Sequence, residues 1–261
     1  MDKSGIINDS NFGNIAAFQN KAKGKKLLLV AHMDTVQKEG DIVHPQYTER
    51  VFKSDGSTIL GADNKASIAV LLTLSKYLQT SKNNIVLAFT TREENGLMGS
   101  KYFDVKKLNP DYIFNIDGSA SVGTIDVQSL GQLAFELYLK GKPAHAATNP
   151  EEGINAMLAA AKLLTSVTIG KFKDGTTFNI GIMKSGTGTN VVPFDAYLKG
   201  EIRGLTQKKI EKNLQKFRKK IANIAKKTKI TYELKIIESN PPFISNTDKN
   251  LKIIKQIMEN L

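Results

Sequence analysis

The sequence contains no cysteine, which excludes disulfides, thiolate metal sites and thiol catalysis. It has only three histidines, so any imidazole chemistry must come from His32, His44 or His145. Arginine is scarce, with four against 33 lysines in a chain of formal net charge +12. Arginine is the side chain suited to bidentate recognition of phosphate and guanine. A scattered lysine excess therefore reads as solvated surface, and no nucleic-acid partner is expected. No apolar run approaches the ~20 residues of a membrane span. The opening Met1-Asp2-Lys3-Ser4-Gly5 has no apolar segment of the kind a secretory signal needs, so no membrane partner and a cytoplasmic location are expected. What is present is ordinary globular composition: 261 residues, 41% hydrophobic and 24% charged, enough for two domains and unlike a disordered, collagenous or coiled-coil chain.

The densest basic stretch, Thr206 to Lys229, carries Ile210, Leu214, Phe217, Ile221 and Ile224 at helical spacing. Lys208, Lys209, Lys212, Lys216, Lys219 and Lys220 fall between them. This predicts an amphipathic helix lying on a sheet, with its lysines in water.

Strands and helices alternate through the first half. Lys26–Ala31, Ile85–Thr90 and Tyr112–Ile116 are continuous apolar runs of strand length, as strands buried on both faces require. Between the first two, Lys65 to Leu78 is apolar nearly all round, which predicts a helix enclosed in a layered, largely parallel α/β fold. After about Thr124 the pattern becomes α+β: alternating strands, a helix from about Glu151 to Ser166, the lysine-rich helix, and a strand near Thr231–Ile237. Asn240-Pro241-Pro242 breaks it, and a helical stretch follows from Asp248 to Leu261.

Acidic residues gather where the apolar strands end. His32 and Asp34 follow the first, Asp63 opens the helix, Glu93 and Glu94 follow the second, and Asp117 follows the third. The carboxyl ends of strands frame the ligand crevice of open α/β sheets, and clustered carboxylates repel unless a cation lies among them. One histidine with several carboxylates and no thiol suits zinc, manganese or cobalt. Each residue alone also reads as an N-cap or turn residue; repetition at four strand ends singles them out. His44, in a polar loop before Pro45, has no such company.

Four segments carry a resemblance: His32-Met33-Asp34-Thr35-Val36, Thr58 to Ala66, Glu93 to Ser100, and Asn115-Ile116-Asp117-Gly118. Gly141 to Ala146 and Thr189 to Pro193 add to it in the second half. Together they resemble the M20 family of di-zinc metallopeptidases, in its peptidase T-like, tripeptide aminopeptidase branch. The resemblance implies a largely parallel-sheet catalytic domain (1–124, resuming at 239–261) with an inserted α+β lid domain (125–238) able to form a homodimer. It implies two zinc ions: His32 and Asp117 would bind one, Asp63 would bridge both, and Glu94 would bind the second. Asp34 would orient His32, Glu93 would be the general base, and His145 would stabilise the developing oxyanion. Asn190 and Arg203 would grip a short peptide substrate by its backbone or carboxylate. Asn64 stands where this branch usually has a second Asp.

Against the family pattern the chain is short at both ends and lacks the late histidine that completes the second zinc site. A partial chain is therefore expected, binding at most one zinc tightly, with little peptidase activity and poor solubility. Two other functions remain open at this point. One is an M20-type deacylase, carboxypeptidase or dipeptidase; the other is a catalytically dead homologue acting as a binding protein.

Overall fold

In the computed structural model, residues 2, 5, 12–18, 23–118, 120–245 and 248–259 are described. The chain divides into two compact units, Met1–Ser121 and Val122–Leu261. The division falls three residues before the expected boundary, and 239–261 lies with the second unit.

The first unit is built on a four-stranded sheet in the order β1 (Ile15–Phe18), β5 (Asn84–Thr90), β2 (Lys26–His32), β6 (Tyr112–Asn115). β2 runs parallel to β5 and β6, while β1 pairs antiparallel with β5. Both faces of the sheet are covered, which is why β2 and β5 read as unbroken apolar runs. Leu29, Ala31, Ile85, Leu87 and Phe89 pack with Leu71, Ile68 and Leu74 of helix α1 (Ala62–Tyr77). Leu28, Val86 and Ala88 on the opposite face pack with Phe103, Val105 and Leu108, contributed by the segment of the short helices α2 (Met98–Tyr102) and α3 (Val105–Leu108).

Two expectations are corrected here. Only Asn64 and Leu71 of α1 are buried, while Val70, Leu72 and Tyr77 are exposed: the sheet covers one side of the helix, and among the described residues nothing covers the other. The polar loop after β2 contains a hairpin, β3 (Pro45–Thr48) and β4 (Val51–Ser54). Glu49 and Arg50 turn it with positive φ, the backbone that matches strand twist in a two-residue hairpin.

The second unit holds a five-stranded antiparallel sheet in the order β12 (Thr231–Asn240), β8 (Gly131–Lys140), β11 (Asp195–Gly204), β10 (Thr177–Ser185), β9 (Gly170–Lys171). Helices α4 (Ala156–Ser166) and α5 (Gln207–Thr228) pack on one face of it. Leu133, Phe135, Leu137 and Leu139 meet Ile210, Leu214, Phe217 and Ile221 in that core. The lysine-rich helix thus forms as its spacing predicts, capped by Thr206, whose side chain accepts the Lys209 N–H. The helix expected from Glu151 begins five residues later. Pro150–Glu152 is a 3-10 turn, and α4 starts after Asn155, whose side chain accepts the Leu158 N–H. β12 runs three residues beyond the expected strand, past an irregularity between Ile236 and Glu238. A two-stranded pair, β7 (Gln128–Ser129) with β13 (Phe243–Ile244), and helix α6 (Asp248–Glu259) complete the unit. Among the described residues no helix is long and apolar enough to cross a membrane.

Candidate metal centre

Parallel register places the acidic residues. His32 is the last residue of β2 and pairs with Thr90, the last of β5; Val30 pairs with Asn115, the last of β6. β2 and β5 therefore end level and β6 two residues short of them, so that Glu93, Glu94 and Asp117 follow within a few residues of the same edge. Asp63 arrives from the irregular first turn of α1. There Gly61 has φ +71, Asp63 and Asn64 depart from helical geometry, and the Asp63–Asn64 peptide is cis.

His32 is 3% exposed. Its Nδ1 lies 3.0 Å from the backbone oxygen of Asp34, an acceptor only, so Nδ1 carries a proton and donates. In the neutral ring, Nε2 is then the lone-pair nitrogen. It faces Asp63 Oδ1 at 3.0 Å and Asp117 Oδ2 at 3.8 Å. Two acidic oxygens around a lone pair call for a cation, either a proton on Nε2 or a metal ion. His32, Asp63 and Glu94 each offer a ligand atom, all within 4.8 Å of one another. This donor set fits a borderline metal such as zinc.

The charges respond accordingly. Burial alone would lower the His32 pKa, but the hydrogen bond with Asp63 and the charges of Asp117, Glu93 and Asp34 outweigh it and raise it above 6.5. Burial raises Glu93 above 4.5, with Asp117, Glu94 and Asp34 adding to the shift and His32 opposing it. Burial also raises Asp117 and, with neighbouring Asp63, Glu94.

Asp34 ties the site together. One carboxylate oxygen accepts the backbone N–H of Glu93 at 3.0 Å and the other that of Glu94 at 3.1 Å, while Oδ1 lies 3.5 Å from His32 Nδ1. Asn64, 3% exposed, donates from Nδ2 to the carbonyl of Ile116 at 3.1 Å, steadying the residue before Asp117. The structure thus brings together His32, Asp34, Asp63, Glu93, Glu94 and Asp117. Sequence reasoning missed the part played by Asn64; its place directly after Asp63 was the available signal.

His145, Asn190 and Arg203 lie in the second unit. His145 and Val191 form an isolated bridge, and the Ala146 N–H donates to the Asn190 carbonyl at 2.9 Å, so the first two sit side by side. His145 Nδ1 accepts the N–H groups of Ala147 and Thr148 at 3.2 and 3.3 Å. This assigns the ring proton to Nε2 and makes that nitrogen a donor. Arg203 is on β11, paired with Glu201 of the same strand.

Residues 14–166 match the profile of peptidase family M28, and residues 127–229 match that of the peptidase dimerisation domain. The structure is similar to that of a tripeptidase from Staphylococcus aureus subsp. aureus mu50, at 30% identity, covering 99% of this chain and 70% of that one with a TM-score of 0.91. It is also similar to aminopeptidase PepT from Bacillus cereus ATCC 10987, at 29% identity, 99% and 71% coverage and a TM-score of 0.89. Carboxypeptidase G2 from Pseudomonas sp. (strain RS-16) is 31% identical over 205 residues, 76% of this chain and 48% of the relative. The chain belongs to the M20 family of peptidases, in its peptidase T-like branch. It spans about half the length of the first two curated relatives it matches.

Proposed function

We propose that this chain carries the metal centre of a zinc-dependent aminopeptidase acting on tripeptides or other short peptides. The observation that carries the reading is His32: its Nδ1 is committed to the Asp34 carbonyl, and its Nε2 is turned toward Asp63 and Asp117. His32 and Asp117 would hold one ion, Asp63 would bridge to a second, and Glu94 would contribute to that second site. Zinc, when bound, polarises the scissile carbonyl and lowers the pKa of water toward ~7.

The chain's own residues supply the rest. Glu93, half-buried and raised above 4.5, is the general base that takes a proton from the attacking water and returns it to the leaving amine. Asp34 holds Glu93 and Glu94 by their backbones and sets the His32 tautomer. His145, a donor at Nε2, is suited to a developing oxyanion. Asn190 and Arg203 bind the peptide backbone or terminal carboxylate. The match to the peptidase dimerisation domain supports a homodimer formed through the second unit.

Catalytic zinc usually keeps three protein ligands, and Asp63 with Glu94 is one short for the second ion. The 261-residue polypeptide should therefore hold one zinc tightly and turn over slowly. The test is a calorimetric zinc titration after chelation, repeated with Asp117→Ala. One tight equivalent, lost in the variant, is the expected result; no tight zinc defeats the metal reading, and two equivalents defeat the one-site claim. The similarity to carboxypeptidase G2 favours a second reading, a carboxypeptidase or deacylase. Cleavage that requires a free substrate α-amine would reject it.

A further inference from the structure

Among the described residues of the first unit, Asn14 is the most enclosed polar residue, 1% exposed. It precedes β1, and the β1–β5 ladder ends at the Ile15–Phe89 pair. Beyond that pair the Asn14 side chain takes over from backbone. Its Oδ1 accepts the N–H of Thr91 at 3.1 Å, and its Nδ2 donates to the carbonyl of Gly99 at 2.9 Å. A second Nδ2 bond goes to Asp2 Oδ2 at 2.8 Å.

Thr91 and Gly99 are the two feet of the loop that carries Glu93 and Glu94. The Gly99 N–H donates to the Thr91 carbonyl and the Met98 N–H to that of Arg92, both at 2.9 Å. The feet touch so closely that a Cβ on Gly99 would fall inside contact distance of the Thr91 carbonyl and 2.7 Å from Asn14 Oδ1. At the other end of the loop, Asp34 accepts the N–H groups of Glu93 and Glu94. The loop is thus held at two places, its tip by Asp34 and its base by Asn14. Groups this deeply buried have no water to replace a lost partner, so losing Asn14 would strand the Thr91 N–H and remove a side-chain tie that backs the two backbone bonds at the base.

We propose that Asn14 is a positioning residue for the Glu93–Glu94 pair, holding shut the base of the loop from which both project. The metal arm of its test rests on the reading under Proposed function; the exchange arm does not. In the 261-residue chain, Asn14→Ala removes both bonds to the loop base and the one to Asp2. Asn14→Asp keeps an acceptor for Thr91 but sets a carboxylate against the Gly99 carbonyl and Asp2, and it guards against a poorly folding alanine variant. Residue-resolved amide hydrogen exchange is read at Glu93 and Glu94, whose own acceptor, Asp34, is unchanged, and at the buried Leu28 and Leu29 of β2 in the same unit as a reference. Zinc affinity is measured alongside.

The expected result in either variant is at least tenfold faster exchange at the Glu93 and Glu94 amides, Leu28 and Leu29 unchanged, and zinc affinity down about tenfold. Wild-type exchange at those two amides in a folded variant would overturn the proposal. So would an equal acceleration in Glu93, Glu94, Leu28 and Leu29, which marks a general stabilising role in the first unit. Unaltered zinc affinity despite faster exchange would overturn it too. If the wild-type chain takes up no zinc, the metal reading fails by itself, and the exchange comparison still decides the role of Asn14.

Discussion

Glu201 and Arg203 face each other two residues apart on β11, joined from Nε to Oε1 at 2.8 Å and from Nη2 to Oε2 at 3.1 Å. Gln132 donates to the same Oε2 at 2.9 Å, and the Arg203 hydrogen bond holds the Glu201 carboxyl below 4.5. A guanidinium satisfied in this way must leave or share its partner before it can grip a peptide's terminal carboxylate. If Arg203 binds substrate, Glu201 is its competitor. Glu201→Gln should tighten the zinc-loaded chain for a tripeptide about threefold, and Arg203→Ala should weaken it about tenfold, the scale of one charge-assisted bond. Neither change should affect the peptide's C-terminal amide. Calorimetry with acid and amide decides; equal effects on both would reduce Arg203 to a strand pair.

Asp34 is the residue whose loss should be felt most widely at the metal centre. Asp34→Asn keeps the shape but turns a donating NH2 toward one of the two N–H groups that the carboxylate now accepts. A group that orients metal ligands in this way typically contributes 10–100-fold to affinity, so zinc affinity should fall by about that factor. The Asp34 carbonyl that takes His32 Nδ1 remains, which should leave the site able to bind weakly. A zinc titration within threefold of wild type would count against this role.

Much of this arrangement was legible before the structure, because it depends on short-range pattern. β2 and β5 are covered on both faces and so read as apolar runs; β6 reads the same way although its Ile113 is exposed, and the residues following all three fall at one edge once the register is parallel. What was hidden depends on partners far along the chain. Asn14 reaches Gly99 across 85 positions, and no local pattern announces that contact. The burial of α1 was overestimated because apolar composition does not say which faces find a partner. The pairing of Arg203 with Glu201 was within reach, since residues two apart on a strand share a face. The late start of α4 was legible too, as Asn155 is a better N-cap than Glu151.

The open face of the second sheet carries its own pH sensitivity. Glu136 accepts the hydroxyls of Tyr138 at 2.7 Å and Tyr197 at 2.9 Å. The Tyr138 bond, then that of Tyr197, holds Glu136 below 4.5. The same bond, more than burial, pushes Tyr138 up to about 12. A depressed carboxyl stabilises the fold above its ordinary pKa and loses that contribution as pH falls through the folded value. A raised phenol stabilises below 10 and loses its contribution as pH climbs toward 12. Wild type should therefore lose melting temperature faster than Glu136→Gln both below pH 4.5 and above pH 10, by small amounts because the network meets solvent. Tyr138→Phe should flatten the alkaline limb more than the acid one. Parallel curves for all three proteins would reject the linkage.

The closeness of Thr91 and Gly99 makes a last prediction that needs neither metal nor substrate. Gly99 has no positive φ, so alanine there faces no backbone penalty, only lack of space between the Thr91 carbonyl and Asn14 Oδ1. Both neighbours are fixed, one as backbone and the other by its own buried hydrogen bonds, so the loop base must open. The cost should be about 3 kcal/mol, the upper range for overpacking, and a melting temperature lower by roughly 6–12 °C. Gly170→Ala is the control. Its φ of +109 disfavours a side chain, but nothing lies within 4 Å of the added Cβ, so it isolates backbone strain of about 1 kcal/mol. If Gly99→Ala melts no lower than Gly170→Ala, the base of the Glu93–Glu94 loop yields easily, and the closed geometry around Asn14 has little energetic weight.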